Sequence, residues 1–271
     1  RRRRPISRRC SRRFATTARP PPGAIRVADL ALIVPDWPVP GRVRAAVTTR
    51  AGGVSDGPFA SLNLAAHVGD DPAAVSRNRA LLRAGLGLPA EPAWLEQVHG
   101  SEVARLRDAG PRAPADAAVA TAPGQVCVVM VADCLPVLLA AEDGSAVGVA
   151  HAGWRGLAAG VVETPIAALP APASALVAGL GPCIGQDAFE VGDEVREAFL
   201  ARAPAAGRHF RANPRGRWQA DLAGLARDRL AAAGVSRIHG GGACTCADPR
   251  RFFSFRRDGT TGRLAALAWL E

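Results

Sequence analysis

The 271-residue chain is predicted to be a mixed α/β protein with some antiparallel strand pairing, and three observations predict it. Short continuous apolar runs at 126–131, 136–141, 146–150 and 175–180 mark strands buried on both faces. Stretches 191–203 and 218–233 carry amphipathic spacing and are predicted as helices. These helices and strands interleave without a strict strand–helix–strand rhythm, which argues against a simple parallel sheet.

Along the chain, regular structure is expected from about Ile33. Residues 42–49 alternate and become β-branched towards their end, so they predict a strand. Residues 50–64 are Gly-rich and polar, a long loop of the kind that commonly serves function. Asp71 can cap the free amides of a helix, and Pro72 lacks the amide that the first helical position would orphan. That helix is expected to reach about Ala84 and stop at Gly85. Residues 156–169 look helical, with Pro165 as the interruption. Gly234 ends the second amphipathic helix, 235–238 predict a short strand, and 264–270 predict the last one. No repeat of 20–50 residues occurs. No linker divides residues 28–271, which are taken as one domain.

The net charge of +10 is concentrated at one end. Residues 1–24 hold nine arginines and no acid, which leaves 25 basic against 24 acidic residues elsewhere. A nearly neutral body argues against nucleic acid as a partner. Residues 1–27 are assigned as a disordered basic tail ending in a proline run. The tail is Arg- and Ser-rich and acid-poor like an organelle transit peptide, and it lacks the apolar stretch of a secretory signal. No apolar run approaches a membrane span. None of the six cysteines forms a CxxC pair, and a chain of this size needs no disulfides, so a reducing cytoplasm is expected.

Chemistry concentrates where apolar runs end. Leu95-Glu96-Gln97-Val98-His99-Gly100 sets a His beside a Gly. Asp133 and Cys134 stand between two buried strands. His151 follows a strand and opens the turn Ala152-Gly153-Trp154-Arg155-Gly156. Turns held by rigid strands favour functional residues. Two imidazoles and a thiolate form a competent zinc set, and catalytic zinc sites use three protein ligands with one open position. The separations, 35 and 17 residues, match no local finger signature. Each His alone also suits a hydrogen-bonded turn, and Cys134 a small core residue. Arg50 and Arg155 lie in Gly-rich loops and suit phosphate or carboxylate, or a surface ion pair. Residues 256–263 read as a solvated, charged hairpin. The tight loop 181–185 could offer backbone amides to a ligand, but it contains no nucleotide phosphate motif.

Taken together, these stretches resemble the YfiH-type laccase-domain family, also described as metal-dependent purine nucleoside phosphorylases. The matching segments are 48–55, Ser61-Leu62-Asn63-Leu64, His67-Val68-Gly69-Asp70, 95–100, 132–136, 151–156, 181–185, 189–192 and 253–263. The similarity covers about residues 32–271 and excludes the basic tail. It implies a single-domain layered α/β/β/α sandwich with mixed sheets. It implies catalytic zinc held by His99, Cys134 and His151. It also implies phosphorolysis of adenosine, inosine and S-methyl-5'-thioadenosine, with hydrolytic deamination of adenosine. Arg50 and Arg155 are then expected to hold phosphate and Asn63 the nucleoside, while Asp133 is either a proton donor or an orienting group. A monomer is expected, with nucleosides and phosphate as its partners. Three other readings use the same residues. A copper-dependent polyphenol oxidase is one, although five histidines are few for a multicopper enzyme. A hydrolase editing peptidoglycan precursors, with Cys134 as nucleophile and His99 or His151 as base, is the second. A structural zinc site with His67 as fourth ligand is the third.

Overall fold

Alternate side chains along the apolar strands face different cores, and that alternation builds the layers of the fold. The computed structural model describes residues 30–109 and 112–271, with the backbone of 24–27. Strands β1 (Ala24–Val27), β2 (Leu30–Ile33), β3 (Val43–Thr48), β14 (Leu264–Leu270) and β6 (Val126–Val131) form an antiparallel sheet in that order. A second sheet has the order β13 (Arg237–Gly240), β9 (Leu176–Leu180), β7 (Leu135–Ala141), β8 (Val147–Ala152), β5 (Ala117–Ala120), β4 (Val103–Arg105). In it β13/β9 and β4/β5 are parallel, and the other pairs are antiparallel. A small antiparallel sheet joins β10 (Glu190–Val191), β12 (Trp218–Ala220) and β11 (Phe210–Ala212).

In β6, Val126 and Val128 face outward with Leu267 and Trp269 of β14. They are covered by Leu62, Leu64 and Leu82, the last on α1 (Pro72–Leu86). Cys127 and Val129 face inward and meet Leu138, Ala140, Val147 and Val149 of the second sheet. The far face of that sheet, with Leu135, Val137, Leu139 and Ala178, is buried under helices α2 (Trp154–Ala159), α3 (Glu163–Ala168), α4 (Asp193–Leu200) and α5 (Leu222–Ala232). This is the α/β/β/α layering that the resemblance implies. Only the six-stranded sheet mixes strand directions.

Several boundaries differ from the sequence reading, each for a physical reason. The strand Ala24–Val27 lies inside the stretch assigned to a disordered tail, and its backbone pairs with β2; residues 1–23 lie outside the described residues. Helix α1 passes through Gly85 and ends at Gly87, which takes the left-handed conformation, φ 59°, of a helix C-cap. The 156–169 helix is two helices, broken at Gly160 (φ 113°). Pro165 does not interrupt it, because it sits in the first turn of α3, where its missing N–H would be unpaired in any case. Stretches 191–203 and 218–233 begin as strand, because Val191 and Trp218–Ala220 pair with each other's sheet; helix α5 starts only after Asp221 accepts the Gly224 amide at 2.9 Å. The strand expected at 235–238 runs instead over Arg237–Gly240, in register with β9. Residues 256–263 are not a solvated hairpin. Ser254 caps a short helix α6 (Phe255–Asp258), and Thr261 and Gly262 are buried.

Candidate metal centre

The antiparallel ladder closes the gap between Cys134 and His151. Pro136 of β7 stands opposite His151 of β8, which sets Cys134, just before β7, beside the imidazole. Ala117 of β5 stands opposite Ala150, so Asp116 also arrives next to His151. The buried Asp116 carboxylate accepts from His151 Nδ1 at 2.7 Å. It also accepts the backbone amides of Val98 (3.1 Å), His99 (3.0 Å) and Gly100 (2.7 Å). One carboxylate therefore orients His151 and anchors the turn that carries His99, whose φ of 60° is left-handed. Gln97 secures the same turn with a reciprocal pair of hydrogen bonds to the Met130 backbone at 2.7 and 2.8 Å.

The donor atoms of His99, Cys134 and His151 lie within 4.8 Å of one another, the one such three-residue grouping among the described residues. Cys134 Sγ is 4.0 Å from His99 Nε2, and the two imidazole rings are edge-on with centroids 4.7 Å apart. A tetrahedral zinc site built from imidazole and thiolate has S–N edges of about 3.6 Å, close to that separation. Asp116 occupies His151 Nδ1 and leaves Nε2 for an ion, the usual arrangement for a ligating histidine. Gly153 keeps the space clear. A Cβ there would stand 2.9 Å from Cys134 Sγ and 3.1 Å from His99 Cδ2.

The charges are mutually supporting. Burial pushes the Cys134 thiol up, but the charge and hydrogen bond of His151, and those of His99, outweigh it and bring it down to about 6. Burial pulls His151 down, but Cys134 and Asp116 outweigh it and lift it to about 9. Burial also pushes Asp116 up, and the bonds from His151, Gly100 and Val98 hold it below the usual carboxylate range. Burial raises Cys127, and burial followed by nearby negative groups, Asp221 first, raises Cys183; both pack as core residues.

The three residues open onto a cavity of about 300 Å³. Its apolar walls are Met130, Trp154, Ile184, Phe189, Leu222 and Phe255, and His67, Gln97, Asp133, Arg256 and Arg263 supply polar groups. His67 lies in this lining but outside the three-residue grouping, and burial and the nearby Arg263 hold its pKa down.

Other residues singled out from the sequence fall elsewhere. Arg50 donates to the carbonyls of Ala60 (2.8 Å) and Pro249 (3.1 Å) and stacks over Phe253, outside the cavity lining. Arg155 is exposed and stacks over Trp154. Asn63 is fully buried. Its Nδ2 donates to Asp70 and the Ala65 carbonyl, and its Oδ1 accepts from the amides of Ala65 and Arg263, which leaves nothing for a nucleoside. Asp133 accepts from Thr245 Oγ1 (2.6 Å), Ser254 Oγ (3.0 Å) and the Arg256 amide (2.6 Å), so its carboxylate holds the 245–256 segment over the site. Sequence reading missed Asp116 and took Arg256 and Arg263 for parts of a solvated hairpin, whereas both line the cavity. The only local sign of Asp116 is an acid set among alanines at the head of an apolar run.

Two sheets stacked between helices, with a His–Cys–His group where their loops meet, define the class. The chain belongs to the family described as multi-copper polyphenol oxidoreductase laccase, whose sequence model matches residues 44–271. It is 53% identical over 243 residues to a Pseudomonas aeruginosa protein named purine nucleoside phosphorylase, covering 89% of this chain and 99% of that one. It is 51% identical over 242 residues to the Escherichia coli purine nucleoside phosphorylase YfiH, covering 88% and 98%. Among solved structures, a Neisseria meningitidis protein superposes with a TM-score of 0.86 at 47% identity, covering 89% of this chain and 99% of that one. YlmD from Geobacillus stearothermophilus superposes at 0.82 and 32%, covering 91% and 98%.

Proposed function

We propose that this chain is a purine nucleoside phosphorylase that holds one zinc ion on His99, Cys134 and His151. One observation carries the reading: the His–Cys–His grouping opens on an aromatic-walled cavity in a chain about half identical to enzymes of that name. The donor set suits zinc, which prefers nitrogen and sulfur ligands in tetrahedral array. Bound zinc would supply Lewis-acid polarisation of a substrate atom.

The chain's own residues do the rest. Phe189, Phe255 and Trp154 offer flat apolar surface to a purine base. In phosphorolysis a phosphate oxygen bonds to C1′ of the ribose and the C1′–N9 bond breaks. Its electron pair leaves with the base, and the proton of hydrogen phosphate ends on the base. Asp133, its carboxylate occupied by three donors, acts as an orienting group and not as a proton donor. Adenosine, inosine and S-methyl-5'-thioadenosine are the substrates of this reading, and adenosine deamination is its second activity. A monomer in the cytoplasm completes it; among the described residues no helix is long and apolar enough to cross a membrane.

A copper-dependent phenol oxidase finds less support, because the described residues offer a single three-donor grouping. The lowered Cys134 and raised His151 favour a second reading, a cysteine nucleophile paired with an imidazole that attacks a cell-wall precursor.

Metal analysis of the purified chain, with chromatography of adenosine or inosine incubated with phosphate, separates these readings. One zinc per chain is expected, with phosphate-dependent release of free base that chelator abolishes and zinc restores. No loss of nucleoside with metal-replete protein ends the first reading. Two or more coppers per chain would favour the oxidase, and a substrate adduct on Cys134 by intact mass the cysteine hydrolase.

A further inference from the structure

The cavity beside the metal centre contains two guanidinium groups that form no ion pair with a carboxylate among the described residues. Arg263 Nη1 donates to its own chain, at the carbonyls of Thr261 (2.9 Å) and Gly262 (3.1 Å). Arg256 Nη1 donates to the carbonyls of Ala188 (3.3 Å) and Glu190 (3.0 Å). In both residues the Nε–Nη2 edge meets no acceptor among the described residues. That edge is one side of the guanidinium fork that receives a carboxylate or phosphate through two parallel hydrogen bonds.

Arg263 is half-buried, and a desolvated cation without a counter-ion is costly unless a ligand supplies one. Asp133 is the acid in the cavity lining, and three other donors already occupy its carboxylate. The Arg263 backbone is held rigidly. Its amide donates to Asn63 Oδ1 at 2.9 Å, and a Cβ on Gly262 would stand 2.7 Å from the Phe253 ring. The fork is therefore presented by a packed segment. Arg256, at the exposed rim, is positioned through its amide on Asp133.

We propose that Arg263, assisted by Arg256, forms the subsite of this cavity that takes a tetrahedral phosphoryl oxyanion. The identity of that anion as the attacking phosphate rests on the phosphorylase reading. The same chemistry would also seat the phosphate ester of a nucleotide. Either source makes these arginines the anion-recognising groups, in place of Arg50 and Arg155, which lie outside the cavity lining.

Calorimetric titration of the zinc-loaded full chain with inorganic phosphate, and separately with inosine and inosine monophosphate, tests this. Arg263→Gln is expected to weaken phosphate binding roughly tenfold or more, the loss of a charge-assisted hydrogen bond. Arg263→Lys, which keeps charge without the fork, should fall between. Inosine affinity should fall less than phosphate affinity, because Trp154, Phe189 and Phe255, the flat walls offered to the base, all remain. Arg256→Gln, at the surface, should weaken phosphate less and serves as the test if Arg263→Gln does not fold. A monophosphate that binds tighter than inosine, by a margin that Arg263→Gln removes, supports the site with the ester as its source. Phosphate and monophosphate affinities that both variants leave unchanged overturn the proposal; if Arg256→Gln alone folds, unchanged affinities in it do so. Arginine-dependent phosphate binding in a chain that cleaves no nucleoside upholds the anion site and removes the phosphorylase reading. Phosphorolysis with a phosphate KM indifferent to Arg263→Gln does the reverse.

Discussion

At the scale of single residues, Asp116 is the organising group. Four donors converge on its carboxylate, three from the 98–100 backbone and one from His151. Asp116→Asn would turn an NH2 towards at least one of those donors. Zinc affinity is expected to fall roughly 10- to 100-fold, as for other groups that orient ligating histidines. Competition with a chromophoric chelator measures it, and an affinity equal to the parent's would show that the two histidines hold their places unaided. A second prediction concerns pH. In chelator-treated protein the Cys134 thiol sits at about 6, below its ordinary value, so its stabilising charge is complete above the ordinary thiol value and is lost as pH falls through about 6. His151 runs the other way: its contribution is complete below the ordinary imidazole value and is lost as pH rises through about 9. Alkylation of Cys134 by iodoacetamide should therefore remain fast at pH 7 and slow only near and below pH 6. A rate that drops tenfold per unit from pH 9 downward contradicts it. The three residues of the candidate metal centre were legible because each stands in a motif at the end of an apolar run. Asp116 was not, because nothing local tells a buried acceptor from a surface acid.

Among the elements, the long loop 50–64 changes its meaning once folded. Its length and glycines suggest a ligand loop, but it is strapped to α1 by Asn78. The Asn78 Oδ1 accepts from Val54 N (2.8 Å), and its Nδ2 donates to Ser55 Oγ (2.8 Å) and to the carbonyls of Ser61 (3.1 Å) and Asn63 (2.9 Å). Gly53 lies so close to Ser61 that a Cβ would stand 2.3 Å from its carbonyl oxygen. Asn78→Leu keeps the volume and removes these partners, leaving buried polar groups unpaired at a cost of about 2 kcal/mol or more. Urea unfolding reads the loss, and proteolysis within 50–64 should accelerate; a variant as stable and as resistant as the parent would contradict the strap. The opening of helix α1 was legible from Asp71 and Pro72, while its stop fell at Gly87 and not at Gly85. Strands β4 and β5 were not, because an alanine-rich segment such as Ala117–Ala120 has weak β propensity and forms a strand only between its neighbours.

For the whole molecule, the residues of the His–Cys–His grouping come from three separate segments, before β4, before β7 and within β8. An ion held by all three would therefore tie together parts of the fold that unfolding separates, and would stabilise the folded chain by mass action. Adding zinc to chelator-treated protein should raise Tm by several degrees, on the order of 2–3 kcal/mol at a hundredfold excess over Kd. In His99→Ala the zinc-dependent rise should largely disappear. An equal rise in both proteins would place the stabilising ion elsewhere.

The local order of residues determined the class of the fold, the ends of most core strands, the opening of α1 and, through the family motifs, the three residues of the candidate metal centre. These are properties of periodicity, caps and turn chemistry, which act over a few residues. Strand order, the break at Gly160, the carboxylate shared between His99 and His151, and the two arginines facing the cavity were decided by tertiary structure alone. Each depends on segments far apart in sequence meeting across a ladder, and only the packed fold decides which donor finds which acceptor.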